Sequence, residues 1–170
     1  MTTLILTVAG ADRPGLVAAV ADVVDAHAGN WENSSLAELA GTFAGVIEVS
    51  VADDRAAELQ TALRSLQGQG LLTLAVLTGT STAPADDQLI TLQVLGNDRP
   101  GIVREVSSVL NAHELSIDEM ATETRDAAMA GGRLFEASVT ARVPASADLD
   151  ALRADLERIA TEIQVDITLA

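Results

Sequence analysis

Two short segments of this chain carry the residue types of a binding loop. Asp12-Arg13-Pro14-Gly15 offers a carboxylate, a guanidinium, a proline that fixes the backbone and a glycine that lets another group approach closely. Asp98-Arg99-Pro100-Gly101 offers the same set 86 residues later. Each segment separates an apolar strand-like run from a helix-like run, where folds tend to place ligand sites. A helix starting near Gly15 presents unpaired N–H groups, and its dipole favours a carboxylate there. Asp12 can hold an ammonium group. Asn30, sixteen residues after Pro14, can both donate and accept. Such a paired set suits a zwitterionic amino acid.

A purely structural reading of the same motif is a strand-to-helix turn, with Asp as cap, Pro at the first helical position and Gly easing the bend. Arg13 and Arg99 serve equally well as partners for a nearby acid. His27 and His113 end the apolar stripe of a helix in each copy and read as core-edge side chains. Trp31 reads as a packing residue, and Asp118, Glu119, Glu123 and Asp126 as a solvated face. No nucleophile–base pair and no metal-ligand spacing stands out. The expectation is a protein without cofactor or metal that is not an enzyme.

The repeat extends beyond the motif. His27 aligns with His113 and Trp31 with Ile117 at the same offset of 86. Repetition of this length means two copies of one domain. Thr2 to Val8 is a strand, and Val17, Val20, Ala21, Val24 and Ala28 recur at helical spacing up to a stop at Gly29-Asn30. Asn30–Ala40 and Gly41–Val51 are two strands, the second alternating through Phe43, Gly45, Ile47, Val49 and Val51. Asp53-Asp54 reads as a helix cap ahead of the stripe Leu59, Leu63, Leu66. Gly68 and Gly70 stop that helix, and Leu72, Leu74 and Val76 alternate as a last strand. Residues 80–87 are small, polar and unpatterned, as in a linker. The second copy repeats the order: strand 89–95, helix stripe Val103, Val106, Leu110, strand region 113–124, alternation Phe135 to Val143, stripe Leu152, Leu156, Ile159, and a last strand through Val165, Ile167 and Leu169. A longer hairpin loop at 125–132 is expected in copy two only. The domains are therefore 1–79 and 88–170, joined by 80–87.

This β-α-β-β-α-β order is the ferredoxin-like plan, an α+β fold with an antiparallel sheet and both helices on one face. Such a sheet leaves one face without a helix, which predicts at least a dimer. That face is expected to carry an apolar alternation, Phe43–Val51 or Phe135–Val143 according to register.

Composition removes several functions this fold can host. There is no Cys, so iron–sulfur and thiolate-metal versions are excluded, and the default location is cytoplasmic. There is no Lys, which removes Schiff-base and phosphate-loop lysine chemistry. The net charge is −15, with −6 in residues 1–85 (9 acids, 3 bases) and −9 in 86–170 (16 acids, 7 bases). Neither half is a basic nucleic-acid module, so no direct nucleic-acid binding is expected. No apolar run approaches the ~20 residues that span a bilayer, and the apolar start lacks the flanks of a signal peptide.

Asp-Arg-Pro-Gly between the first strand and first helix, in this element order and followed by Asn30, resembles an ACT domain. Two such domains filling the chain are similar to the glycine cleavage system transcriptional repressor family. The resemblance implies an amino-acid-sensing regulator whose ligand, glycine or serine first, sits where two domains pair. It assigns the ligand contacts to Asp12, Arg13, Pro14, Gly15 and Asn30 and to Asn97, Asp98, Arg99, Gly101 and Ser116. Ser116 replaces Asn30 and Asn97 replaces Ala11 in the second copy, so the two sites are expected to be unequal. Sites formed between copies would set Asp12 against Ser116 and Asp98 against Asn30, the latter being the better amino-acid site. The resemblance also implies a homodimer acting through a transcription-factor or enzyme partner. A regulatory subunit of a biosynthetic enzyme and a small phosphate-handling enzyme are the alternatives.

Overall fold

The structure is a computed structural model that describes residues 1–68, 72–79, 88–126 and 132–169. The chain divides into two compact units, Met1–Ala83 and Pro84–Ala170. The linker segment 80–87, Gly70 and most of the expected long hairpin loop lie outside the described residues.

Unit 1 runs β1 (Thr2–Ala11), α1 (Leu16–Ala26), β2 (Asn30–Leu39), β3 (Thr42–Val51), α2 (Ala56–Gly68) and β4 (Thr73–Thr78). Its sheet has the order β2-β3-β1-β4, with all three pairings antiparallel. The period-2 alternation sends Leu4, Leu6 and Val8 of β1, Ile47, Val49 and Val51 of β3, and Leu74 of β4 to one face. Leu16, Val20 and Val24 of α1 and Leu59, Leu63 and Leu66 of α2 cover them in a single core. Each fully buried aliphatic side chain there contributes about 1.5–3 kcal/mol. Trp31 packs on the edge of this core.

Unit 2 repeats the plan with β5 (Gln88–Asn97), α3 (Ile102–Ala112), β6 (Ser116–Asp126), β7 (Arg133–Val143), α4 (Leu149–Ile163) and β8 (Val165–Leu169). Its sheet order is β6-β7-β5-β8, again antiparallel. Ile90, Leu92, Val94, Ala137, Val139 and Ala141 meet Ile102, Val106, Leu110, Leu152, Leu156 and Ile159.

Four local readings are corrected. Helices α1 and α3 begin one residue after the motif glycine, so Leu16 and Ile102 turn inward while Val17 and Val103 stay exposed. The left-handed residue ending α1 is Ala28 (φ 53), not Gly29. Gly29 is there for room, because a Cβ on it would lie 3.0 Å from Val24 Cγ1. Asp53 does not cap α2; it holds the Met1 amine at 3.0 Å and the Thr2 hydroxyl at 2.7 Å. The alternations Phe43–Val51 and Phe135–Val143 lie under the helices, not on the uncovered face. Their intervening residues face away, and the two units differ there. At matching positions unit 1 has Ile5 and Val46 where unit 2 has Thr91 and Ser138, whereas Thr7 and Glu48 match Gln93 and Thr140, and unit 2 also exposes Leu89 and Leu95 on this face. Gln93 donates to the Ser138 hydroxyl at 2.9 Å.

Candidate functional site: the paired strand-to-helix loops

Each motif loop begins where a sheet ladder ends. Ala11 is the last β1 residue paired with β3, opposite Thr42. One step on, the Asp12 N–H donates to the Gly41 carbonyl at 2.9 Å. In unit 2 the Asp98 N–H donates to the Arg133 carbonyl at 2.8 Å. Both aspartates are thus fixed through their backbones at the rim of the sheet, and both side chains are exposed.

The Pro-Gly pair then turns the chain into the helix. Gly15 has φ 93 and ψ −3, and Gly101 has φ 99 and ψ −6. This is the geometry of the third residue of a type II turn, which strongly favours glycine. It corrects the expected cap: the glycine, not the aspartate, is the residue before the helix, and Pro14 precedes it instead of opening the first turn. The Gly15 carbonyl accepts from Ala19 N–H at 2.9 Å, and no side chain caps α1. The first-turn N–H groups are therefore left to water or to a ligand. A Cβ on Gly15 would meet nothing within 4 Å, so the approach to this helix start is open.

The second loop has the same backbone with different charges around it. Arg99 Nη1 donates to the Pro100 carbonyl at 3.2 Å, and its Nη2 lies 3.8 Å from Glu105. Arg104 approaches the same carboxylate at 3.5 Å. Glu105 stands in the first turn of α3, where the helix dipole stabilises an acid by about 0.3–1 kcal/mol. A Cβ on Gly101 would lie 3.7 Å from Glu105 Oε1. The equivalent residue in unit 1 is Ala19, and the first turn of α1 holds no acid. Sequence reading passed over Glu105; the signal was available, as an acid in the first turn of only one of two aligned helices.

Asn30 and Ser116 open β2 and β6 and are exposed. Asn30 pairs with Ser50, which lies across from Thr3. Asp12 is nine residues further along the same strand direction, about 30 Å at 3.3 Å per residue. Ser116 pairs with Arg142, across from Leu89, and is separated from Asp98 in the same way. Within one unit, then, the aspartate and its amide or hydroxyl counterpart stand at opposite ends of the sheet and cannot touch one small ligand. The ends also differ chemically. The Ser50 hydroxyl, and after it the Asn30 side chain, hold the Glu32 carboxyl below its usual range. In unit 2 Arg142 pairs with Asp118 at 2.7 Å.

Asn97 is placed elsewhere. It lines an open groove of about 680 Å³ with Glu157, Thr161, Gln164 and Asp166, and none of Asp98, Arg99 and Gly101 borders it. The two histidines also part company. His27 Nδ1 lies 2.8 Å from the Val23 carbonyl of its own helix, whereas His113 Nε2 lies 2.9 Å from Asp155 on α4.

A doubled ferredoxin-like unit with this loop before its first helix defines the class: a tandem regulatory domain of the ACT type. ACT domain sequences match residues 2–76 and 85–166, and the chain belongs to the ACT-domain family. Over 162 residues it is 28% identical to the glycine cleavage system transcriptional repressor of Escherichia coli K12, covering 94% of this chain and 85% of that protein; the Shigella flexneri repressor matches equally. The crystal structure of an unknown protein from Galdieria sulphuraria superposes with a TM-score of 0.88 at 30% identity, covering 99% of this chain and 96% of that one. No helix among the described residues is long and apolar enough to cross a membrane.

Proposed function

We propose that this protein is an amino-acid-sensing regulator of the glycine cleavage repressor type, which binds glycine or serine and acts through a protein partner. The observation that carries the reading is the loop itself. A backbone-anchored aspartate is followed by a left-handed glycine that leaves an uncapped helix start open to a small anion. The ligand carboxylate takes the first-turn N–H groups and its ammonium takes the aspartate. Each aspartate is far from the Asn30 or Ser116 of its own unit, so neither Asn30 nor Ser116 completes the site of its own loop. Assembly of at least a dimer is part of this reading. The similarity to the repressor over nearly the whole chain supports transcriptional control. The net charge of −15 favours contact with a protein over contact with DNA phosphate.

Calorimetry of the purified chain against the twenty amino acids tests this. Glycine or serine should bind, and Asp12→Ala should weaken binding by about 1–3 kcal/mol, the scale of a charge-assisted hydrogen bond. Absence of binding at millimolar ligand would retire the sensor reading. Sequence-selective gel shifts by the pure protein at physiological salt would retire the indirect mode of action.

A further inference from the structure

The longest stretch of this chain without a charged side chain is 65–85, in a sequence whose net charge is −15. Within it lies β4, Thr73-Leu74-Ala75-Val76-Leu77-Thr78, an edge strand paired only with β1. An edge strand presents a row of unpaired N–H and C=O groups, and charges and bulges are what keep such a row from pairing with another chain. The other edge strands carry these devices. β2 has Glu32 and Glu38 and a register shift between Trp31 and Asn33. β6 has Asp118, Glu119, Glu123, Arg125 and Asp126 and a register shift between Ile117 and Glu119. β8 has Asp166. β4 has an unbroken register against β1 and no charge. Leu74 and Val76 turn toward the helices, while Ala75 and Leu77 face the uncovered side. Leu77 is 62% exposed there, beside Ile5 of β1.

We propose that β4 is the edge through which two copies of this chain associate, pairing antiparallel with β4 of the second copy to continue the sheet. This rests on the dimer in the functional reading and names its surface. The occupant of an open edge must itself be a strand, because a strand offers backbone donors and acceptors at the matching spacing. In an acidic chain, β4 is also the described edge at which two copies meet with no carboxylate of the strand facing another. A two-fold axis normal to the sheet sets residues of one face against residues of the same face. With the axis at Ala75, Leu74 meets Val76 of the second copy on the helix side and Thr73 meets Leu77 on the other. With the axis at Val76, Leu74 would meet Thr78 instead. The Ala75 crossing sets apolar against apolar under the helices and is the register assigned.

Sedimentation equilibrium of the full chain tests the assignment, with fluorescence of Trp31, the single tryptophan, checking that unit 1 is folded. The wild-type chain should be dimeric at micromolar concentration. Ala75→Glu sets two carboxylates about 5 Å apart at the crossing. It should raise the dissociation constant between about fourfold and about three hundredfold, according to screening. Ala75→Gln, of similar bulk without charge, should remain dimeric. So should Thr168→Glu, which puts the same charge on the β8 edge of unit 2. The chain has no cysteine, so Ala75→Cys is a single probe. Opposed cysteines at the crossing lie within disulfide range, and oxidation should give a covalent dimer. A monomeric wild type would remove the dimer of the functional reading and this inference with it, whereas the amino-acid calorimetry would still decide the sensor. Equal dissociation constants for wild type and Ala75→Glu, or no covalent dimer from Ala75→Cys, would overturn the β4 edge alone and leave the dimer to another surface.

Discussion

Units 1 and 2 have the same topology, the same loop backbone and the same helix starts, yet they differ where the chemistry is exposed. The shared features are those a buried alternation and a left-handed glycine require. Leu4-Leu6-Val8 and Ile90-Leu92-Val94 occupy matching buried places, and Gly15 and Gly101 adopt matching turns. The differences fall on residues the fold does not constrain: Ala19 against Glu105, Asn30 against Ser116, and, on the uncovered face, Ile5 and Val46 against Thr91 and Ser138. Duplication has thus kept the scaffold and released the surface, as expected when core substitutions cost several kcal/mol and surface ones little.

The largest test of this equivalence lies in the core. Gly45 on β3 and Ala137 on β7 occupy the same repeat position, each in the strand that pairs with the unit's first strand. A Cβ on Gly45 would lie 2.1 Å from the Ser35 carbonyl and 2.8 Å from Leu36 Cα, both backbone of β2. Ala137 carries its methyl without difficulty in unit 2, buried at 4% exposure. Gly45→Ala should therefore destabilise unit 1 by about 3 kcal/mol, at the upper end of overpacking effects. Ala137→Gly should cost unit 2 only about 0.5–1 kcal/mol. Urea unfolding followed by Trp31 fluorescence reads unit 1 alone, and far-ultraviolet circular dichroism reads both. An unmoved Trp31 transition in Gly45→Ala would show that the two β2–β3 approaches are less different than the structure has them.

The second pair of helices gives a smaller effect. Asp148 caps α4 by accepting from the N–H groups of Asp150 and Ala151, both at 3.0 Å. Its counterpart in unit 1 is Arg55, and Asp53 of the expected cap is engaged with the chain's first two residues. Asp148→Ala should cost about 1 kcal/mol. The loss should appear in the dichroism transition and leave Trp31 fluorescence in place.

Much of this was legible in the sequence, because burial imposes periodicity. The stripes Leu59-Leu63-Leu66 and Leu152-Leu156-Ile159 and the period of the alternations Phe43–Val51 and Phe135–Val143 are read directly from spacing, though not the face those alternations take, and the repeat fixes the β-α-β-β-α-β order twice. What escaped depends on single dihedral angles and on side-chain direction. Whether Pro14 or Leu16 opens the helix turns on Gly15 having φ 93, which composition does not encode. That choice rotates the helix enough to exchange Val17 for Leu16 in the core. Glu105 escaped because its meaning comes from a neighbour in space, Arg99, and from the absence of an acid at Ala19. The separation of Asp12 from Asn30 needed the strand register, which set them at opposite ends of one sheet.

The acid response should also distinguish the units. The His113 hydrogen bond, and after it Arg158, hold the Asp155 carboxyl below its ordinary value of 3.8. A lowered folded value means that the interaction adds stability above the unfolded value and loses it as pH falls through the folded one. The advantage of wild type over Asp155→Asn should therefore be present at about pH 6 and shrink below about pH 3.8. His27 instead contacts its own helix carbonyl, and the unit 1 counterpart of Asp155 is Ala62. Trp31-monitored unfolding should consequently show no difference between the two proteins at either pH.

The smallest effect tests the equivalence where it is closest. Ala28 (φ 53) and Glu114 (φ 59) both come directly after a helix-ending histidine and lie in the left-handed region, which disfavours any side chain with a Cβ. Replacing either by glycine relieves about 1 kcal/mol of backbone strain and returns part of it through the larger entropy of glycine in the unfolded chain. The net gain should be about 0.5 kcal/mol in each unit. Ala28→Gly should raise the Trp31 transition, and Glu114→Gly should raise only the dichroism transition. Equal gains would mean that the two units end their first helices with the same stored strain. A gain in one unit only would mean that the next residue along the chain sets the helix end rather than the left-handed residue itself. That residue is Gly29, packed against Val24, in unit 1 and Leu115, inserted into the core, in unit 2.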